Sequence, residues 1–163
     1  MNIITISREF GSGGRELGKR LADALEYDYY DREILTALAE ATKMEESYLE
    51  HILEQGAAAA RYPIAFGHTF SQISYFSNRT ASLLAKQTEL IKKIAEKGNC
   101  VIVGRNANVI LAEKKPLRIF AYAEMGSRIQ RCRKRETENM ERSDKEYEKQ
   151  IKEVDKLRAK NHD

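Results

Sequence analysis

The sequence predicts an α/β fold with a parallel sheet, and two observations carry this prediction. Short apolar runs rich in β-branched residues recur at 2–7, 100–103 and 117–122, and each fits a strand that is buried on both faces. Segments with a helical spacing of apolar residues separate these runs. Strands that alternate with helices indicate a parallel sheet with right-handed crossovers.

Length and composition narrow the class of protein. The 163 residues support one domain, and 42% hydrophobic with 33% charged residues is an ordinary soluble composition with an excess of charge. Two cysteines, Cys100 and Cys132, exclude a disulfide framework and a four-cysteine zinc site. No stretch approaches the roughly 20 apolar residues of a membrane span, and residues 1–10 lack a secretion signal. We expect a cytoplasmic protein with no membrane partner, and the net charge of +3 is too small to indicate a nucleic-acid partner.

The first predicted strand leads into a glycine-rich turn and then a helix. Apolar residues recur at helical spacing over about 14–26, which predicts that helix. The short, partly aromatic segment 26–30 predicts a second strand. Asp31 is a good N-cap for the next helix, whose apolar face would contain Ile34 and Leu38.

The middle and the end of the chain have different compositions. We expect 42–80 to form a helical insertion with a mobile loop, and 80–97 to form one amphipathic helix that ends at Gly98. The segment 124–160 contains 12 Lys/Arg and 9 Asp/Glu residues. We expect a solvated helical hairpin or lid there rather than core, because its apolar stripe is narrow. The stripe consists of Tyr147, Ile151, Val154 and Leu157.

The strongest chemical feature is the glycine-rich segment 7–18. Glycines let a backbone wrap closely around a phosphate with its N–H groups pointing inward, and the helix that follows adds its positive N-terminal end. Arg15 is placed where a side-chain cation reaches bound phosphates. The spacing matches neither the dinucleotide fingerprint nor the ordinary P-loop motif, and a tight turn without a ligand is the alternative. The glycines are Gly11, Gly13, Gly14 and Gly18.

Charged residues elsewhere are the other candidates. Arg105 follows a buried strand, and ligands of open parallel sheets bind beyond the carboxyl ends of strands. Its alternative role is to cap a helix or to pair with a carboxylate. Arg128 and Arg131 share a predicted helix face, although most charge runs are only solvated surface. Asp31 either reaches a substrate or caps its helix.

Three segments together resemble the bacterial cytidylate kinase-like family, a group of P-loop nucleoside monophosphate kinases. They are ISREFGSGGRE at 6–16, YYDREI at 29–34 and VIVGRNA at 101–107. The resemblance covers nearly the whole chain in order. The first motif together with its Gly-Arg partner is quite specific, whereas the middle of the chain is not.

The resemblance implies a three-layer P-loop kinase-type parallel sheet in a single domain, 1–163. Within it, 42–80 would be the helical nucleotide-monophosphate-binding insertion and 124–160 the arginine-rich lid. The family usually continues past the lid, so we expect that a C-terminal strand and helix are missing from this chain. The implied reaction transfers the γ-phosphoryl group of ATP to CMP or dCMP, with ATP and Mg²⁺ as cofactors.

The resemblance also implies roles for particular residues. The cofactor-binding candidates are Gly11, Ser12, Gly13, Gly14, Arg15 and Glu16. The catalytic candidates are Arg15, Arg105, Arg128, Arg131 and Arg158. The substrate-binding candidates are Asp31, Arg105 and Lys156, and no residue is assigned to a metal.

The chain departs from the family pattern at several of these places. Gly14 and Arg15 stand where the kinases carry a lysine and a hydroxyl residue, and Val103 and Asn106 stand where they tend to carry aspartates. An arginine supplies the charge of a lysine but not its geometry. A second hypothesis is therefore a catalytically weak or inactive nucleotide-binding regulatory module. A nucleic-acid-binding helical protein is a third, weakened by the acidic residues between the basic ones. The stretch 57–76 is a candidate homodimer surface.

Overall fold

The structure is a computed structural model that describes residues 2–50, 52–53, 70–135 and 142–160. Side chains are described for all of these residues except 70–79 and 160. Much of the expected insertion and part of the candidate homodimer surface, residues 54–69, lie outside the described residues. The division into insertion and lid and the homodimer stay predictions.

The four strands of the described chain form one parallel sheet. They are β1 (Ile3–Arg8), β2 (Asp28–Tyr30), β3 (Cys100–Val103) and β4 (Leu117–Ala121), in the spatial order β2-β3-β1-β4. All three strand pairs are parallel. Because parallel strands end at the same edge, the C-terminal ends of β1, β2 and β3 lie side by side. The predicted α/β class with a parallel sheet is confirmed.

The helices of the first half follow the predicted pattern closely. Helix α1 spans Gly14–Leu25 and α2 spans Arg32–Thr42, and residues 46–50 are also helical. The next helix, α3, spans Phe70–Lys97, so it begins ten residues before the predicted start at 80. Neither glycine nor proline interrupts 70–97, and Gly98 follows the last turn with a φ of 78°.

In the described residues after β3, one strand and several helical elements follow. Helix α4 (Ala107–Ile110) and a 3₁₀ turn (Ala112–Lys114) lead to β4. Helix α5 (Met125–Arg135) and helix α6 (Asp144–Lys160) then pack against each other. No described helix is long and apolar enough to cross a lipid bilayer. The cytoplasmic location stays a prediction.

Helices cover both faces of the centre of the sheet, which makes three layers. The four residues of β3 are completely buried, as expected for a central parallel strand. Cys100 and Ile102 belong to the core cluster that α2 and α3 contribute to. Val101 and Val103 belong to the opposite cluster, which contains Ala22 of α1. The alternation of side chains along one strand therefore builds two cores.

Strand β4 is more exposed than its sequence predicts. Leu117 and Phe120 are 61% and 59% exposed, so the prediction of a strand buried on both faces is wrong there. The physical reason is position: β4 lies at the edge of the described sheet and pairs only with β1. An apolar run does not distinguish a central strand from an edge strand.

The charged pair of helices α5 and α6 has a small core of its own. Tyr147 and Ile151 of α6 are 1% and 0% exposed, and they pack with Ile129 and Cys132 of α5. Phe10, from the loop after β1, packs against the same cluster. The expectation of a solvated hairpin without core is therefore wrong in part. The apolar stripe of α6 is narrow, but α5 and the loop after β1 are enough to bury it.

Candidate functional site

A glycine loop connects β1 to α1 and begins the site. Gly13 is the N-cap of α1 with a φ of 89°, in the left-handed region that glycine adopts without steric cost. The amides of the first helical turn have no intrahelical partners, and they form the positive end of the helix. Two other amides of the loop are already used, because Phe10 N–H donates to Asp155 Oδ1 at 2.7 Å and Ser12 N–H donates to the carbonyl of Glu9 at 3.3 Å. The amides at the start of α1 are available to an anion.

The loop forms one side of a cavity of about 360 Å³. Residues 8–15 line that side, and Gln150, Val154 and Arg158 line another from one face of α6. Five arginines and two glutamates are among the lining residues, an excess of three positive charges. A concave site with this balance favours an anionic ligand. The charged lining residues are Arg8, Glu9, Arg15, Arg32, Glu50, Arg135 and Arg158.

Arg8, the last residue of β1, lies at the centre of this charge. Its side chain is 14% exposed and its guanidinium lies against Gly104, where an added Cβ would overlap Nη1 and come within 2.8 Å of Cζ. Burial, followed by the positive charge of Arg158, lowers the pKa of Arg8 to about 10. Arg15 and Arg105 also contribute to this lowering of the pKa, while the Asp31 carboxylate raises it.

Asp31 connects two of these arginines from a buried position. Its residue is 4% exposed, and its carboxylate lies 2.6 Å from Arg15 Nε and 3.6 Å from Arg8 Nη2. Asp31 does occupy the N-cap position of α2, but its side chain makes no capping hydrogen bond. Its backbone amide instead donates to Glu33 Oε2 at 2.9 Å. The side chain is therefore part of the arginine cluster rather than a helix cap.

Arg158 and Arg105 approach the cluster from two other elements. Nη1 of Arg158 donates to the carbonyl of Arg8 at 3.3 Å, and its guanidinium lies 5.5 Å from the centre of the Phe10 ring. Nη2 of Arg105 lies 3.8 Å from Glu50 Oε1, and its side chain is 10% exposed. The structure thus brings Arg15, Arg105 and Arg158 around Arg8, as an interacting set of four arginines.

Arg128 lies beneath the loop and fastens it. The residue is 4% exposed, so its interpretation as solvated surface is wrong. Its Nε donates to the Phe10 carbonyl at 2.8 Å, Nη1 lies 3.1 Å from Glu9 Oε2, and Nη2 is paired with Asp155. These contacts give Arg128 a loop-positioning role, and its direct part in phosphoryl transfer stays a prediction.

Two polar groups beside the loop are buried without a partner among the described residues. They are Oγ of Ser12 and Nη1 of Arg131. The guanidinium of Arg131 lies beside Gly13, since Nε would be 3.4 Å from a Cβ added there. A buried donor without an acceptor is costly, so an anionic ligand with several acceptor oxygens would stabilise both groups. Ser12 lines the cavity, whereas Arg131 is not among the lining residues, so Ser12 is the better placed of the two to meet an anion there.

Two of the predicted site residues lie apart from this cluster. Lys156 is exposed and does not line the cavity. Glu16 is exposed on α1, where it pairs with Arg20 at 2.6 Å. Arg8 is the residue that the sequence-based assignment missed. The signal was present, because Arg8 ends a buried parallel strand, the place where ligands of open α/β sheets bind.

The acidic residues at the loop are engaged by arginines. Glu9 and Asp155 pair with Arg128, and Asp31 pairs with Arg8 and Arg15. Within the part of the chain that the structure describes, no group of three or more His, Cys, Asp or Glu residues is arranged to hold a metal ion. The described carboxylates therefore do not fit a Mg²⁺ site built by the protein itself.

A parallel sheet whose first strand leads through a glycine loop into a helix, with arginines gathered around the loop, defines a kinase-like α/β protein. The sequence model of the cytidylate kinase-like family matches residues 3–163, and the chain belongs to that family. The resemblance found in the sequence is thus confirmed.

Comparison with solved structures agrees on the fold. A crystal structure of an uncharacterized protein from Eubacterium ventriosum ATCC 27560 matches with a TM-score of 0.62 and 24% sequence identity. The match covers 99% of this chain and 76% of that chain. At this identity it supports the fold alone. No curated protein matches the sequence.

Proposed function

We propose that the protein is a nucleoside monophosphate kinase that transfers the γ-phosphoryl group of ATP to CMP or dCMP. The observation that carries this proposal is the set of four arginines centred on Arg8, together with the donors of Ser12 and Arg131 that have no partner among the described residues. The family supports a kinase-like activity in general. The choice of a cytidine nucleotide as acceptor rests on the family alone.

The donor nucleotide would bind at the loop. The amides at the start of α1 would meet the phosphates of ATP, with Ser12 Oγ and Arg131 Nη1 donating to their oxygens. Arg15 would supply the positive charge that a lysine supplies in other P-loop proteins. Mg²⁺ would arrive on the phosphates of ATP, because the described carboxylates of the loop are paired with arginines.

The acceptor would bind on the β2 and β3 side of the cavity. Arg105 follows β3 there, and Asp31 follows β2. Phosphoryl transfer needs the two phosphates in line with the charge along the path neutralised, and a guanidinium between the two sites serves that purpose. In this proposal Arg105 binds the acceptor phosphate and Arg158 stabilises the group in transfer. Lys156, which lies outside the cavity, would reach the substrate only if α6 moves.

Helices α5 and α6 would act as the lid. Water is an alternative acceptor for the phosphoryl group, so a kinase closes its site before transfer. Arg135 of α5 and Arg158 of α6 already line the cavity. The helix pair contacts the loop through Phe10 and Arg128, so a movement of the pair would move the loop that is proposed to bind the phosphates.

A regulatory module that binds nucleotide without turnover is the second candidate. The observation in its favour is that Arg15, the replacement for the P-loop lysine, is held by Asp31 at 2.6 Å. The Arg15 guanidinium would have to break this ion pair, or contact Asp31 and the phosphate together, before it could bind a phosphate.

An assay of ADP release with each nucleoside monophosphate, run together with a measurement of ATP binding, separates the two candidates. The kinase predicts turnover with CMP or dCMP, and Arg15→Gln should lower kcat/KM by about 10²–10³-fold, the usual loss for one electrostatic donor. Arg20→Gln is the matched control, because Arg20 lies on the same helix, is 77% exposed and pairs with the exposed surface residue Glu16. ATP binding without turnover on any acceptor would reject the kinase and support the module.

A further inference from the structure

We propose that Arg8 is a phosphate-binding residue of the loop, and that Asp31 is an internal carboxylate which occupies Arg8 and Arg15 until a phosphate replaces it. This inference rests on the proposed binding of nucleotide at the loop and adds a residue to it. Four features support it: the position of Arg8, its packing, its charge balance and the geometry of its one carboxylate partner.

The position of Arg8 makes it one of the residues that line the cavity. Arg8 ends β1 and lines the cavity together with the loop that follows. The start of α1 lies directly over its side chain, since a Cβ added at Gly14 would be 2.7 Å from Arg8 Cβ. The first carbons of the side chain therefore lie under the start of α1, where phosphate is expected, and its guanidinium lies at Gly104.

The packing of Arg8 depends on the absence of a side chain at Gly104. The guanidinium fills the space where the Cβ of residue 104 would be, at the C-terminal end of β3. Arg8 thus spans from the end of β1 to the end of β3, so that it reaches the loop that carries Arg105. This placement joins the donor side and the acceptor side of the proposed site through one side chain.

Most of the charged groups that act on the pKa of Arg8 carry the same sign as Arg8. Arg15, Arg105 and Arg158 are near enough to lower its pKa, whereas the Asp31 carboxylate raises it. A buried cation surrounded by like charges is unfavourable unless an anion compensates it. Asp31 is shared between Arg8 and Arg15, and a phosphate beside Arg8 would supply a second anion to this group of cations.

The two contacts of Asp31 differ in length, and the longer one indicates which arginine can exchange the carboxylate for a phosphate. Its Oδ2 lies 2.6 Å from Arg15 Nε, a close ion pair, whereas its Oδ1 lies 3.6 Å from Arg8 Nη2, beyond hydrogen-bond distance. Arg8 is therefore attracted by Asp31 without being fully hydrogen bonded to it. A phosphate oxygen in the cavity would offer Arg8 the close contact that Asp31 does not.

The test measures the affinity of the whole chain for inorganic triphosphate and for ATP by titration calorimetry. We expect Arg8→Gln to weaken binding of both by about 10- to 100-fold, the range of one charge-assisted hydrogen bond. We expect Asp31→Asn to leave binding unchanged or to strengthen it, because a competing carboxylate has been removed. We expect Arg20→Gln, on the exposed face of α1, to have no effect.

The double variant Arg8→Gln/Asp31→Asn distinguishes binding from folding. In Arg8→Gln alone, Asp31 loses one partner, and thermal unfolding will report any loss of stability. If Arg8 acts only by neutralising the Asp31 carboxylate, the double variant regains both stability and affinity, and the inference is overturned. If Arg8 binds phosphate, the double variant regains stability while the loss of affinity remains. The double variant also decides the matter if Arg8→Gln alone does not fold.

Failure of this inference and failure of the proposed function give different results. Normal binding by the wild type together with normal binding by Arg8→Gln overturns the role of Arg8 alone. Absence of triphosphate and ATP binding by the wild type overturns the proposed function and the role of Arg8 together. A weaker affinity in Asp31→Asn overturns the view of Asp31 as a competing carboxylate and makes it a positioning residue.

Discussion

Replacing Gly104 by alanine is the sharpest test of how the end of β3 is built. Gly104 has a φ of 72°, and a Cβ there would overlap Nη1 of Arg8 and lie 2.8 Å from its Cζ. Two costs follow. A non-glycine residue in the left-handed region costs about 1–2 kcal/mol. Displacing a packed and buried side chain costs about 1–3 kcal/mol more.

The free energy of unfolding should therefore fall by about 2–5 kcal/mol in Gly104→Ala, which is a large part of the usual stability of a domain. Urea denaturation, followed by circular dichroism, measures this change. Gly126→Ala is the matched control, since nothing lies within 4 Å of its added Cβ and it lies in helix α5. We expect that control to be neutral or more stable by up to about 1 kcal/mol, because alanine favours a helix.

A double-mutant cycle separates the two costs. In an Arg8→Ala background the overlap is gone and only the backbone strain at Gly104 remains. The cost of Gly104→Ala should then drop to about 1–2 kcal/mol, the strain alone. If Gly104→Ala is as harmless as Gly126→Ala, or if its cost is the same with and without Arg8, the packing of Arg8 against Gly104 is refuted.

Two further predictions concern the loop support and the titration of a tyrosine. Arg128→Ala should destabilise the protein by about 3–5 kcal/mol in urea denaturation, because it leaves Glu9 and Asp155 without their cation. The control Arg133→Ala should cost no more than about 1 kcal/mol, because the ion pair of Arg133 is exposed. Equal costs for the two variants would contradict the buried role of Arg128. Burial raises the pKa of Tyr29 from 10.0 to about 12. Between these two values the unfolded chain loses its proton first, so the contribution of Tyr29 to stability is complete below pH 10 and is lost as the pH rises towards 12. Stability measured from pH 9 to pH 11 should fall less steeply in Tyr29→Phe, and an identical slope would contradict the shift.

Local patterns were enough to predict the order in which strands and helices follow one another along the chain, and the place of the loop. The run 2–7, the glycines of 11–14 and the apolar spacing over 14–26 each depend on neighbours a few residues away. Strand and helix periodicity and the left-handed turn at Gly13 are properties of short segments, so the sequence alone predicts them. The family motifs had the same local character, and they identified the family correctly.

Properties that depend on distant partners needed the tertiary structure. The run 117–122 has the composition of a buried strand, yet it is exposed, because its position at the sheet edge is decided by which strands pair. The stripe that begins at Tyr147 became core only because α5 and Phe10 cover it. In both cases burial is a relation between segments that are far apart in the sequence.

For the candidate site, the sequence by itself determined the loop, Arg105 after a buried strand and the positive helix end that follows the loop. The tertiary structure decided which arginines share one carboxylate, which one lies under the loop and which one fills the space beside Gly104. The reason is physical: ion pairs and close packing act over a few ångströms between β1, β2, β3 and α6, whose residues are separated by up to 150 positions along the chain. Spacing within a motif carries no information about such distances.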